Sequence, residues 1–237
     1  MNHELNETLP EFVSNSMYEH QLIVFLCDTS GSMYGERICN TNLLLNNLAE
    51  DVKTYSKDSV YVDASVIAFN DVPYVVQEFM PLTELHPVCL SAGGCTNLSS
   101  ALEFAMNMLN ERRRYYYDHC ITVEKTHIFL ITDGYCDDVT QTAEIISRKT
   151  IAQKLRLWVI ASDNCDERTI DALTRGKGMY RFTNIADDEL VCLVDIALRM
   201  GFREAPDPDT MIHVVSPPPH PDLKVPDLDE WLNEYCD

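Results

Sequence analysis

At 237 residues the chain has room for one large α/β domain with a tail, while two complete domains would be tight. Its 46% of hydrophobic residues can supply a sizeable core, and a formal charge of −20 argues against nonspecific binding to nucleic acid or anionic membranes. Such a charge fits a partner that is basic, or one held through a bridging cation.

No membrane segment is visible: Leu22–Cys27, the strongest apolar run, is far short of the ~20 residues a spanning helix needs. The stretch Met1–Glu7 carries neither the basic region nor the apolar block of a secretory leader. The nine cysteines are an odd number with no Cys-x-x-Cys pair, and they read as reduced thiols of a cytoplasmic protein.

In chain order, His20–Cys27 is a continuous apolar run, the pattern of a strand covered on both faces. Asn40–Tyr55 spaces Leu43, Leu44, Asn47, Leu48 and Val52 as a helix would. Ser59–Phe69 is a β-branched and aromatic strand, followed by a tight hairpin turn at Asn70-Asp71. Pro73–Phe79 returns at a sheet edge, where a proline needs no ladder partner. Asn97–Arg113 is helical, with Leu98, Leu102, Ala105, Met106 and Leu109 on one face.

Thr126–Thr132 is a second buried strand ending at Asp133. A helix over Thr140–Gln153 and a strand over Leu155–Ala161 follow. A short helix at Ile170–Leu173, a strand at Met179–Phe182 and a last helix over Asp187–Met200 complete the pattern. The alternation predicts an α/β, doubly wound, mostly parallel sheet with one antiparallel edge strand and helices on both faces.

Residues 201–237 hold nine acidic and two basic side chains and seven prolines, among them Pro217-Pro218-Pro219. That composition ends the packed domain. The expected organisation is an N-terminal extension over 1–19, a domain over 20–202 and an acidic, proline-rich tail over 203–237. Within the tail, Leu228, Trp231, Leu232 and Tyr235 fall on one helical face that Asp227 could cap. This short amphipathic helix would dock in a partner's groove or pack on its own domain.

Three loops carry the chemistry. Asp28, Ser30 and Ser32 alternate after the first strand, so three hard oxygen donors can turn toward one point. Hard oxygens suit Mg²⁺ far better than zinc. Thr96 lies in Gly93-Gly94-Cys95-Thr96-Asn97, just before a helix, and Asp133-Gly134 follows the second buried strand. In an open parallel sheet, ligands bind beyond the carboxyl ends of the strands where strand order reverses. All three loops can meet there.

Asp28-x-Ser30-x-Ser32, Thr96 and Asp133-Gly134 resemble, in order and spacing, the metal-ion-dependent adhesion site of von Willebrand factor A (vWA) domains. The likeness covers roughly Leu22–Met200. The run Asp-Thr-Ser-Gly-Ser-Met-x-Gly-Glu, with Ser-Val-Ile-Ala-Phe, Pro-Leu-Thr and Ile-Thr-Asp-Gly further on, is most similar to the TerY-like bacterial vWA proteins associated with tellurium resistance. The resemblance implies a Rossmann-like fold and a Mg²⁺ (or Mn²⁺) held directly by the Ser30 and Ser32 hydroxyls. Thr96 would bind directly or through water, and Asp28 and Asp133 mainly through bound waters. With few charged direct ligands, the ion keeps positive charge and an open position for a partner's carboxylate.

The implied function is therefore non-enzymatic capture of an acidic residue on a protein partner. Relatives are linked to stress-response systems containing a kinase and a PP2C-type phosphatase. Cys95 and Ser99 stand where many relatives carry glycine. Cys95 and Cys136 would both lie on metal-site loops, as small filling residues or as a redox pair.

Two alternatives compete. One is a Mg²⁺-dependent phosphatase of the haloacid-dehalogenase type, but these use Asp-x-Asp, and here the second position is Ser30; Asp137-Asp138 could only imitate their later acidic pair. The other is a vWA subunit of an ATPase-driven complex. A serine-hydrolase reading lacks Gly-x-Ser-x-Gly and a placed base. The seven histidines are scattered without zinc-ligand spacing. The basic, aromatic run Arg112–Tyr117 reads as cations completing a helix end with tyrosines packed behind, ahead of a phosphate or RNA contact.

Overall fold

The structure is a computed structural model that describes residues 19–52, 60–136, 139–153, 155–162, 164–175 and 179–183, and the positions 190, 193, 194, 197 and 198. The tail over 203–237 with its candidate helix, the extension over 1–18 and Asp137-Asp138 lie outside the described residues.

Among the described residues six strands form one sheet: β1 (Glu19–Asp28), β2 (Val60–Phe69), β3 (Pro73–Pro81), β4 (Val123–Thr132), β5 (Leu155–Ala161) and β6 (Met179–Thr183). Their spatial order is β3-β2-β1-β4-β5-β6. Every pairing is parallel except β2 with β3, the hairpin that supplies the antiparallel edge strand. The helices are α1 (Glu36–Asp51), α2 (Leu98–Asp118), α3 (Thr140–Gln153) and α4 (Glu167–Thr174). Leu190, Leu193, Val194, Ala197 and Leu198 are also helical and buried.

β1 is central because both of its faces are apolar. Leu22–Cys27 expose no surface at all. Ile23, Phe25 and Cys27 pack with Leu44, Leu45 and Leu48 of α1 and with Leu190, Leu193 and Val194. Leu22, Val24 and Leu26 face the other way, into Leu98, Leu102 and Met106 of α2 and Ile170 and Leu173 of α4. Period-two alternation along one strand thus feeds two separate cores, with helices on both faces of the sheet. Each fully buried Leu, Ile, Val or Phe contributes roughly 1.5–3 kcal/mol of transfer free energy.

Two helices differ from the periodicity. α1 begins at Glu36 and not at Asn40: Gly35, at φ 89°, ends the preceding loop and Ile38 already packs in the core. Leucine spacing could not see this, because the first turn carries Glu36 and Arg37. α2 runs to Asp118, five residues past Arg113, because Tyr116 is wholly buried and extends the packed face by another turn.

Candidate metal centre

The order β2-β1-β4 is where the sheet reverses its winding, so the loops after β1 and β4 diverge to opposite faces and leave a crevice between them. Asp28 closes β1 and Asp133 follows β4, and neither exposes any surface. The Oδ1 of Asp28 accepts the Ser30 N–H at 2.9 Å, and its Oδ2 accepts the Thr132 hydroxyl at 2.6 Å. Thr132 Oγ1 accepts the Gly134 N–H at 2.9 Å, so one hydroxyl ties the two loops together.

Ser30 is buried and Ser32 exposed, and their Oγ atoms stand 3.1 Å apart. The loop carrying Thr96 is stitched alongside: Gly31 N–H donates to the Gly94 carbonyl at 2.9 Å and Gly93 N–H to the Thr29 carbonyl at 2.8 Å. Asn70 Nδ2 donates to the Gly93 carbonyl at 3.1 Å, and Cys95 N–H donates to Asp71 Oδ1 at 3.2 Å. The hairpin tip therefore clamps this loop from the outer side. Gly94 takes φ 82° directly against the Asp71 carboxylate, leaving no space for a Cβ. Thr96 sits half-buried two residues on, before Asn97, whose side chain caps α2 by accepting the Ser100 N–H at 3.2 Å.

Asp28, Ser30, Ser32 and Asp133 are thus drawn together by hydrogen bonds, and Thr96 is carried to the same edge by its loop. Burial pushes the Asp28 carboxyl above its usual range, the Ser30 and Thr132 hydrogen bonds work against that rise, and Asp133 adds to it. A nearby cation would favour the ionised form. The donors are hydroxyls backed by two buried carboxylates. Among the described residues no group of three or more His, Cys, Asp or Glu side chains is placed to hold a metal ion. The chemistry of this donor set is compatible with a hard divalent ion such as Mg²⁺ or Mn²⁺, which Ser30, Ser32 and Thr96 could hold with Asp28 and Asp133 behind them.

One residue at the site escaped the sequence reading. Arg37, in the first turn of α1, donates from Nη1 to Asp133 Oδ2 at 2.6 Å and to the Ser32 carbonyl at 3.1 Å. Its Nη2 reaches the Asn164 carbonyl at 3.4 Å, and its guanidinium lies 6.0 Å from the centroid of the Tyr135 ring. Gly35 before Glu36 marks the start of α1 and puts Arg37 in its first turn, but nothing in the sequence pairs that cation with Asp133. Thr132 ends β4 and shows in sequence only as a strand residue, with no mark of its bond to Asp28.

Ser99, where a glycine was expected, accepts the Thr142 hydroxyl at 2.9 Å and so links α2 to α3. In the basic run, Arg112 is committed to buried Asp63 on β2 at 2.6 Å. A cleft of about 490 Å³ opens beside Ser32 and Arg37, with Asn40, Ile131, Ile160 and Asn164 among its walls. Tyr34 and Tyr135 stand exposed at the same edge of the sheet.

A doubly wound sheet with hydroxyls and carboxylates gathered at its reversal point defines an α/β domain of the vWA type. The family model of the von Willebrand factor type A domain matches residues 23–195, and the chain belongs to that family. No curated protein sequence matches the chain significantly. Among solved structures, it is similar to a von Willebrand factor type A protein from Catenulispora acidiphila, with TM-score 0.52 and 16% identity over 73% of this chain and 40% of that one. Proximal thread matrix protein 1 of the mussel byssus gives TM-score 0.55 and 19% identity over 77% of this chain and 46% of that one. The pilus adhesin SpaC of Lactobacillus rhamnosus GG, in an open conformation, gives 0.57 and 12% over 75% and 29%. The chain spans less than half the length of each of these three, and at such identities the likeness is one of fold. Among the described residues no helix is long and apolar enough to cross a membrane.

Proposed function

We propose that this vWA domain is a cation-dependent protein-interaction module, in which Mg²⁺ (or Mn²⁺) held at Asp28, Ser30, Ser32, Thr96 and Asp133 captures a carboxylate of a partner protein. The observation that carries this reading is the pairing of the Ser30 and Ser32 hydroxyls at 3.1 Å above two buried carboxylates. Neutral direct ligands leave the ion electrophilic, and the exposed position of Ser32 leaves one side open to an incoming oxygen. The cleft beside Ser32 has room for the side chain that flanks such a carboxylate.

The module is non-enzymatic in this account. Ser30 occupies the place where a phosphatase would need its second aspartate, and among the described residues no histidine joins the cluster. We place it in the cytoplasm, as a scaffold or regulator. The Asp-Thr-Ser-Gly-Ser-Met segment and its accompanying motifs support a TerY-like role in a bacterial stress response, beside a kinase, a PP2C-type phosphatase or an ATPase.

Affinity capture with the purified chain as bait tests this, read by mass spectrometry in Mg²⁺ and in EDTA. A partner retained only in Mg²⁺, and lost with Ser30→Ala or Asp133→Ala in folded protein, is the expected result. EDTA-insensitive capture by both variants contradicts the metal mechanism. Turnover of a generic phosphate ester that Asp28→Asn abolishes would replace the module by an enzyme.

A further inference from the structure

The guanidinium of Arg37 holds the acidic half of the metal centre. Asp133 is fully buried, and each of its oxygens accepts a hydrogen bond: Oδ1 from the Tyr135 N–H at 3.1 Å and Oδ2 from Arg37 Nη1 at 2.6 Å. The same Nη1 donates to the carbonyl of Ser32, whose hydroxyl is one of the candidate ligands. A fixed positive charge therefore neutralises Asp133 within the loops that would receive a divalent cation. A guanidinium and a divalent cation drawn to the same buried carboxylate repel one another, so the presence of either weakens the hold on the other.

Arg37 is also positioned to leave. Its side chain keeps 26% of its surface exposed, whereas Asp133 keeps none. It borders the 490 Å³ cleft together with Tyr34 and Asn40, and its guanidinium lies 6.0 Å from the centroid of the exposed Tyr135 ring. Leaving Asp133 also releases its bonds to the Ser32 and Asn164 carbonyls.

From this geometry we propose that Arg37 is an internal competitor for the metal site: a divalent cation held at the Ser30 and Ser32 hydroxyls displaces its guanidinium from Asp133. The site is thereby closed at low Mg²⁺ and opens as the ion displaces the arginine. The inference rests on the metal-binding reading above and adds its regulation.

The test is calorimetric titration of Mn²⁺ into the full chain, comparing wild type with Arg37→Met and Arg37→Lys, each checked for fold by circular dichroism. Arg37→Met binds Mn²⁺ about tenfold tighter or more, because one positive charge has left the site. Arg37→Lys, which keeps the charge, stays within about threefold of wild type. Equal or weaker binding by Arg37→Met overturns the competition and makes Arg37 a clip for the Ser32 loop. Lysine binding as tightly as methionine overturns it too.

In the wild-type chain, the Arg37 side-chain NMR resonance shifts as Mg²⁺ saturates, and a resonance unchanged at saturation contradicts exchange even if the variants fail to fold. Absence of Mn²⁺ binding in wild type and Arg37→Met alike would remove the metal reading itself. Binding in wild type with no gain in Arg37→Met removes the gate alone.

Discussion

At the scale of single residues, the surroundings of a buried histidine dictate its protonation state. His127 on β4 is buried beside Trp158 of β5, whose Nε1–H donates to His127 Nδ1 at 3.1 Å. Burial, reinforced by the positive charges of Lys125 and Arg156, pushes the imidazole down to about 3. The neutral ring with its acceptor nitrogen is what Trp158 requires. Because the unfolded histidine titrates near 6.5, its contribution to stability is complete above that pH and fades as pH falls toward 3. At pH 4.5 the loss is about 2–3 kcal/mol. A His127→Gln variant should therefore show a shallower fall in urea midpoint between pH 6.5 and 4.5 than wild type. An identical slope would place the acid sensitivity elsewhere.

Single residues were also where the sequence was easiest and hardest to read. Asp28, Ser30 and Ser32 stood out because a buried strand stops abruptly at alternating oxygens. Arg37 did not, since a cation in a helix's first turn looks like any solvated surface residue until the tertiary fold sets Asp133 against it.

Among the elements, α2 shows how a long helix is fixed at both ends. Asn97 caps its start beside the metal edge, while Arg112 and Tyr116 anchor its last turns to Asp63 of β2. Arg112 donates from Nε at 3.2 Å and from Nη2 at 2.6 Å to Asp63 Oδ2, and the buried Tyr116 hydroxyl donates to the same oxygen. Burial first, then the Asp63 charge, raises the Tyr116 hydroxyl far above its usual range, so it stays protonated as a donor. The guanidinium also faces the rings of Phe79, Tyr115 and Tyr116 at 5.7, 5.3 and 5.1 Å.

Removing Arg112 strands a buried carboxylate. Arg112→Ala should lower stability by about 3–5 kcal/mol in urea melts. Asp63→Asn together with Arg112→Met should recover part of that loss. A loss under about 1 kcal/mol for Arg112→Ala would mean the network is solvated and of little weight. The run Arg112–Tyr117 reads as one cluster in sequence, yet the helix splits it by face: Arg112 and Tyr116 turn inward and Tyr117 is exposed. Helical spacing predicts that split only once the helix is known to reach Asp118.

For the molecule as a whole, topology does most of the functional work. Strand order β3-β2-β1-β4-β5-β6 puts the loops after β1 and β4 side by side although Asp28 and Asp133 lie over 100 positions apart. Alternating strands and helices made the parallel sheet, its antiparallel edge and its two covered faces legible beforehand. Pro73 marks the edge strand: with no N–H to donate, it opens β3 opposite Phe69 on a strand whose outer side has no neighbour among the described residues. The linkage through Thr132 was not legible, because a strand-ending threonine carries no mark of the hydrogen bond it will make across the crevice. The clamp of Asp71 on the Gly94 loop was hidden for the same reason.

The central claim is that these loops form one cation site with hydroxyl ligands. It is tested most directly by calorimetric titration of Mn²⁺ into wild type and into the Ser30→Ala/Ser32→Ala double variant. One ion per chain in wild type, with affinity at least about tenfold weaker in the folded double variant, is the predicted result. Equal Mn²⁺ affinity in the two proteins would contradict it.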